Sequence, residues 1–278
     1  MTPLIINTAF TGAVSDKARN PNVPYSAEEV RSDAVACAAS GTAMGHFHVR
    51  TEAGAATNDP ELYARLFAAL GGEPALTDLV MVASTSGRHG QTIDERTAVL
   101  KLPADLRPDM ASLTLSSLNF ATGPSITSPD DIRRLAEAMQ TNGVKPELEV
   151  FDLGMAAFAR TLAKEGLIKP PFYVNIILGN VAGAQADAMS VAALLHALPS
   201  PTVVSIGGIG RAQMPAHLLA LAEAEGVRTG LEDNLRNPDG SLTSNPELVA
   251  RIAAIAKLAG REIETAAGLR TRLELPSR

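Results

Sequence analysis

The chain has 278 residues, 46% of them hydrophobic, and a formal net charge of -6. That length and apolar content suit one large α/β domain, while the acidic balance without a Lys/Arg run excludes a nucleic-acid groove. The single cysteine excludes an internal disulfide and fits a reducing compartment, and the lack of a signal core or membrane-length apolar run leads us to expect a soluble, cytoplasmic protein with no membrane partner.

Short β-branched runs alternate with Ala/Leu-rich stretches of helical period. The first strand is predicted at Leu4–Thr8, followed by a helix at Ala27–Ser40 that Ser26 and Glu29 open as a capping box. Cys37 lies in that helix and reads as a small buried hydrophobe. Next come strand Ala43–His48 with helix Pro60–Leu70, and strand Leu79–Ser84 with helix Ile93–Lys101. Strand Met110–Leu115 precedes helix Asp130–Asn142, which Ser128-Pro129 starts. The second half continues with strand Glu147–Phe151 and helix Met155–Glu165, then strand Phe172–Ile177 and helix Ala188–Leu198. Strand Thr202–Ile206 with helix Gln213–Ala224, and strand Val227–Leu231 with helix Pro246–Ala259, complete the series. Eight strand–helix pairs imply parallel βαβ units closed into a (β/α)8 TIM barrel; an open doubly wound sheet gives no reason for eight repeats. We expect one domain over residues 1–278, with a helical extension from about 260. Its charged tail, Glu262–Leu275, is expected to pack outside the barrel or against another subunit.

Residues two apart in an extended strand share a face, so His46 and His48 aim their imidazoles at one point. Glu232 ends the eighth strand, and strands 2 and 8 can meet across strand 1 at the C-terminal face where barrel active sites lie. Two imidazoles and a carboxylate form a three-ligand zinc site with an open position, able to polarise a carbonyl; another divalent transition metal would also suit it. A lone strand histidine is ordinarily a satisfied core residue, but the paired spacing with an acid at a second strand end favours metal. His196 and His217 fall in helical patterns and are expected at the surface or in packing, and His89 reads as solvated on a loop above the mouth.

Arg228 and Asp233 flank Glu232, and their ordinary reading is an ion pair. Glu147 and Glu149 share one face of a strand, where an interior salt bridge and a proton relay compete as explanations. Ser84 and Ser86 follow strand 3 and Thr114 ends strand 4, where hydroxyls can grip a carboxylate or simply shape a turn. Gly208, Gly210 and Arg211 follow strand 7, the place where barrels bind phosphate, although a structural tight turn would look the same.

Six fragments occur in order: Gly45-His46-Phe47-His48-Val49-Arg50, Pro108-Asp109-Met110-Ala111-Ser112-Leu113, Asn119-Phe120, Lys145-Pro146-Glu147-Leu148-Glu149-Val150-Phe151-Asp152, Gly208-Ile209-Gly210-Arg211 and Val227-Arg228-Thr229-Gly230-Leu231-Glu232-Asp233-Asn234. Together they resemble the β-keto acid cleavage enzymes, essentially end to end. The resemblance implies a zinc-dependent barrel that condenses a β-keto acid with acetyl-CoA to give acetoacetate and a new acyl-CoA, and it suggests a homotetramer. It implies His46, His48 and Glu232 as metal ligands, Asp233 as base, Arg228 as a catalytic or orienting residue, and Glu149 as the functional one of the two strand acids. It also favours Ser84, Ser86 and Thr114 for the substrate carboxylate. The Gly208, Gly210 and Arg211 segment would then meet a CoA phosphate.

One position departs from the aminohexanoate-cleaving members. They carry an acidic residue just after the Gly-Ala that follows strand 1, to meet the substrate's ammonium, whereas this chain has Val14. A cationic tail is therefore disfavoured and an apolar or anionic one expected, with Arg88 suited to a second carboxylate. The runner-up is a zinc hydrolase acting on an ester, lactone or β-diketone. A third reading is a metal-stabilised binding protein without turnover, against which the polar mouth argues.

Overall fold

The computed structural model describes residues 2–88 and 90–277, so the expectation for His89 lies outside the described residues. Eight parallel strands close a barrel: β1 (Ile5–Ala9), β2 (Met44–Phe47), β3 (Val80–Ala83), β4 (Met110–Thr114), β5 (Lys145–Val150), β6 (Phe172–Leu178), β7 (Thr202–Gly208) and β8 (Gly226–Thr229). Each strand pairs with its sequence neighbour, and β1 pairs with β8 through Asn7 opposite Arg228. The chain is thus the (β/α)8 TIM barrel that the alternation predicts.

Helices α1 (Ala27–Ala38), α2 (Pro60–Gly71), α3 (Ile93–Thr97), α4 (Pro129–Thr141), α5 (Leu153–Lys164), α6 (Ala188–Ala197), α7 (Gln213–Glu223) and α8 (Asn245–Leu258) cover the outside. Side-chain caps set several starts: Ser26, Thr92 and Ser244 make full capping boxes, and Asp152 accepts from Met155. The outward strand residues Ile6, Met81, Leu148, Val174, Ile206 and Val227 are buried against these helices in the main core. Cys37 is buried in α1, and burial pushes its thiol up.

Two features depart from the expected elements. The predicted third helix is α only to Thr97 and continues to Lys101 as a 3-10 turn. Two short ribbons, Val49–Arg50 with Ala56–Thr57 and Leu118–Phe120 with Gly123–Ser125, rise from the loops after β2 and β4. The tail packs beneath the barrel: α9 (Ala266–Arg272) places Leu269 and Leu273 against Ile5, Met44, Val80, Met110 and Tyr173, at the N-terminal ends of the strands. Arg270 reaches the buried Asp109 at 2.8 Å and bonds the carbonyls of Asp78 and Leu79.

Candidate active site

The strands that carry the chemistry end in two places that a pure strand reading does not foresee. His46 lies within β2, but His48 stands just beyond its end. Likewise β8 stops at Thr229, and Leu231, Glu232 and Asp233 form a turn. Gly230 makes that turn at φ +138°, where an added Cβ would lie 2.1 Å from the Ala9 carbonyl oxygen. Gly12, at φ +70°, leaves space for Glu232, whose Cγ would be 2.7 Å from a Cβ there. Ser15 Oγ donates to the Leu231 carbonyl at 2.7 Å, and Asn245 accepts from the Leu231 amide at 2.7 Å while donating to Phe10 and Asp33. The ends of β1 and β8 are thereby locked around Glu232.

These constraints bring His46, His48 and Glu232 together. The two Nε2 atoms are 3.3 Å apart, His48 Nε2 is 3.3 Å from Glu232 Oε1, and His46 Nε2 is 3.7 Å from Glu232 Oε2. A tetrahedral zinc with bonds of about 2.0–2.1 Å separates its ligand atoms by about 3.3 Å, so this donor set fits. Glu232 Oε2 is buried without a hydrogen-bond partner among the described residues, as an atom reserved for a cation would be. Burial opposes a charge on His46, yet Glu232 and Glu147 raise it to about 9; the surroundings favour positive charge at this point. Burial lowers His48, and Glu232 only partly opposes that. Burial also opposes the charge on Glu232, but His48, His46 and Arg228 hold it well below the usual carboxylate range.

Glu147 lies directly beneath. Its Oε2 accepts from His46 Nδ1 at 2.6 Å, and its Oε1 accepts from Asn175 at 2.6 Å and Asn7 at 2.9 Å. That bond places the His46 proton on Nδ1 and leaves Nε2 free as a donor to metal. Despite complete burial, His46 and the other donors hold Glu147 below the ordinary carboxylate value. A further layer, in which Tyr173 links Ser205 and Asn7, supports it. Asn7, Asn175, Tyr173 and Ser205 were outside the sequence-based candidates; single polar residues inside otherwise apolar strands are the signal that marks them.

Glu149 faces a different group. It accepts from Thr114 Oγ1 at 2.6 Å and lies 3.4 Å from Arg228 Nη1. Arg228 is 1% exposed, donates through Nε to Asp233 at 2.9 Å, and contacts Glu232 at 3.0 Å. Three carboxylates around one guanidinium outweigh its desolvation and raise its affinity for the proton. Burial raises Asp233 and Glu149 above the usual carboxylate range, with Arg228 opposing in both cases.

The cavity above, about 800 Å³, is lined by His48, Ser84, Ser86, Thr114, Glu149, Arg228, Glu232 and Asp233, with Val14, Arg88, Gly210 and Arg211 further out. Ser84 Oγ accepts from the Ser86 amide, and Ser86 Oγ from the Arg88 amide. The glycine segment also has structural roles. Gly210 donates its amide to the Asp233 carbonyl at 2.8 Å, and Gly208 is buried with an added Cβ only 2.5 Å from the Ala212 carbonyl oxygen. These glycines hold the Asp233 turn, and Arg211 is exposed at the rim. His217 is buried in α7, where its Nε2–H donates to the Arg228 carbonyl at 2.9 Å; His196 is exposed.

Comparison with known proteins agrees with this geometry. The chain is 35% identical over 267 residues to a 3-keto-5-aminohexanoate cleavage enzyme of Acetoanaerobium sticklandii, covering 95% of this chain and 96% of that protein. It is 34% identical over 279 residues to a 3-oxoadipate:acetyl-CoA acetyltransferase of Cupriavidus necator, covering 99% and 96%. A ternary complex of ObcA with a C4-CoA adduct and oxalate shares the fold, with a TM-score of 0.79 at 21% identity over 92% of this chain and 68% of that one. A family model described as beta-keto acid cleavage enzyme matches residues 3–275. From its closed barrel, its converging His/Glu cluster and these matches, the chain belongs to the beta-keto acid cleavage enzyme family.

Proposed function

We propose that this enzyme exchanges the acyl group of a β-keto acid with the acetyl group of acetyl-CoA, releasing acetoacetate and a new acyl-CoA, with zinc held by His46, His48 and Glu232. The carrying observation is the 3.3 Å spacing of donor atoms beside a buried acid on an arginine clamp. Bound there, zinc would act as a Lewis acid on the keto oxygen and acidify the neighbouring methylene.

Asp233, raised by burial, is suited to take a proton from the carbon between ketone and carboxylate, and Arg228 fixes its carboxylate for that task. The resulting carbon nucleophile attacks the acetyl carbonyl and expels CoA thiolate. The thiolate then adds to the original keto carbon, and the bond between that carbon and the methylene carbon breaks. Acetoacetate departs as its carbanion, which recovers the proton from Asp233. Ser84, Ser86 and Thr114 would hold the substrate carboxylate, while Glu149, joined to Thr114 and Arg228, would couple that grip to the base. Glu147 would act through His46 alone. Arg211 at the rim would meet a CoA phosphate, and we retain a cytoplasmic homotetramer as the expected setting.

Purified zinc-loaded protein with acetyl-CoA and a panel of β-keto acids should yield acetoacetate and one new acyl-CoA in equal amounts by mass spectrometry. Keto-acid loss without acetyl-CoA would instead support the hydrolase. The relatives' names span aminohexanoate, dehydrocarnitine and oxoadipate substrates, so kinship leaves the acyl tail open.

A further inference from the structure

The tail is the part of the substrate that the acyl exchange leaves unspecified, and any assignment of it rests on that exchange being the reaction. The mouth has two cationic poles. Arg19, Arg211 and Arg236 follow β1, β7 and β8, three adjacent strands, and all are exposed at the rim. Such solvated groups suit the several charges of a polyphosphate. Arg88 follows β3 in another sector and is half-buried. Its guanidinium carbon sits 3.7 Å from the centroid of the Phe120 ring, which in turn meets Phe151 edge-on at 5.9 Å.

Stacking fixes the plane of the guanidinium and leaves its in-plane N–H edge free to fork a carboxylate. Among the described residues no carboxylate pairs with Arg88, and only its backbone amide is engaged in a hydrogen bond, to Ser86. Arg228, by contrast, is saturated by three acids. A partly desolvated, unpaired guanidinium lining a substrate cavity calls for an anionic partner. Across the β2 loop that carries His48, the loop after β1 presents Val14, which offers no charge for an ammonium. A cationic tail would meet Arg88 with repulsion and Val14 with no compensation.

We propose that the acyl tail ends in a carboxylate received by Arg88 on its Phe120 platform, so that the substrate is a dicarboxylic β-keto acid. Arg88 is then a specificity-determining residue, and Arg228 and Asp233 remain the reacting machinery.

The test uses zinc-loaded enzyme, acetyl-CoA and three acids of matched backbone: 3-oxohexanedioate, 3-oxohexanoate and 5-amino-3-oxohexanoate. For wild type, kcat/KM on the diacid should exceed that on 3-oxohexanoate, whose tail carries no charge, by about 100-fold, the scale of a charged hydrogen-bonded pair. Arg88→Met keeps the packing on Phe120, and it should lower that ratio by about 100-fold; Arg88→Lys should restore part of it. A wild-type preference for 3-oxohexanoate or 5-amino-3-oxohexanoate overturns the tail assignment while leaving acyl exchange intact. So does a ratio unmoved by Arg88→Met, or an effect of that variant confined to KM for acetyl-CoA. Failure of these three acids and of every other tested β-keto acid to give a new acyl-CoA overturns the exchange reading and this proposal with it.

Discussion

At the floor of the barrel, Ile5, Met44, Val80, Met110 and Tyr173 meet Leu269 and Leu273 in a buried apolar plug. Two residues further along β1, β2 and β6, the same interior positions hold Asn7, His46 and Asn175, and at the mouth stand Glu149, Arg228 and Glu232. The strands are shared, and only the layer differs. At the floor, Arg270 and Asp109 form a buried ion pair at 2.8 Å. The mouth crowds three acids onto Arg228 and leaves Glu232 Oε2 without a hydrogen bond among the described residues. On this account stability should rest on the packed floor and reactivity on the mouth, where charges are left in tension.

The comparison breaks most sharply if chemistry can be lost without loss of fold. Asp233→Asn should lower kcat by about 10³-fold or more, within the range of a general base, with little change in thermal unfolding. His48→Ala should lose both stoichiometric zinc by metal analysis and turnover. At the floor the effect should invert: Leu269→Ala opens a buried cavity and should cost about 2–5 kcal/mol in denaturant unfolding while kcat changes little.

Two smaller effects sharpen the boundary. Burial pushes His217 down to about 4, whereas the unfolded chain titrates near 6.5. Between those values the unfolded state binds the extra proton, so stability should fall as pH drops from about 6.5 to about 4, by roughly 3 kcal/mol in total. His217→Gln should flatten that limb of the stability curve. Glu147→Gln keeps the size of the side chain but loses the carboxylate beneath His46; zinc affinity in a chelator competition should weaken about 10- to 100-fold.

The eight-fold alternation was legible because buried parallel strands are nearly continuous apolar runs, as in Phe172–Leu178, and because caps such as Ser26 and Ser244 punctuate the helices. The convergence of the His/Glu cluster was legible from His46 and His48, although His48 lies past the strand end. Other parts were hidden by their own composition. The tail reads as a charged segment packed outside the barrel or on another subunit, and its charge does not reveal that Arg270, 4% exposed, clamps the floor through Asp109. The glycines after β7 read as a phosphate loop, and the sequence does not reveal that Gly208 also packs closely on Ala212 or that the Gly210 amide bonds the Asp233 carbonyl. Which of two strand acids supports His46 depends on register across the barrel, where Glu147 faces Asn7 and Asn175 while Glu149 sits one layer higher against Arg228.

The most direct measurement is hydrogen exchange at the methylene of a β-keto acid in D2O, followed by NMR with zinc-loaded enzyme and no acetyl-CoA. Wild type should incorporate deuterium well above the buffer rate, and Asp233→Asn should bring it back to that rate while zinc stays bound. Wild-type exchange in Asp233→Asn would contradict the account by placing the base elsewhere in the mouth.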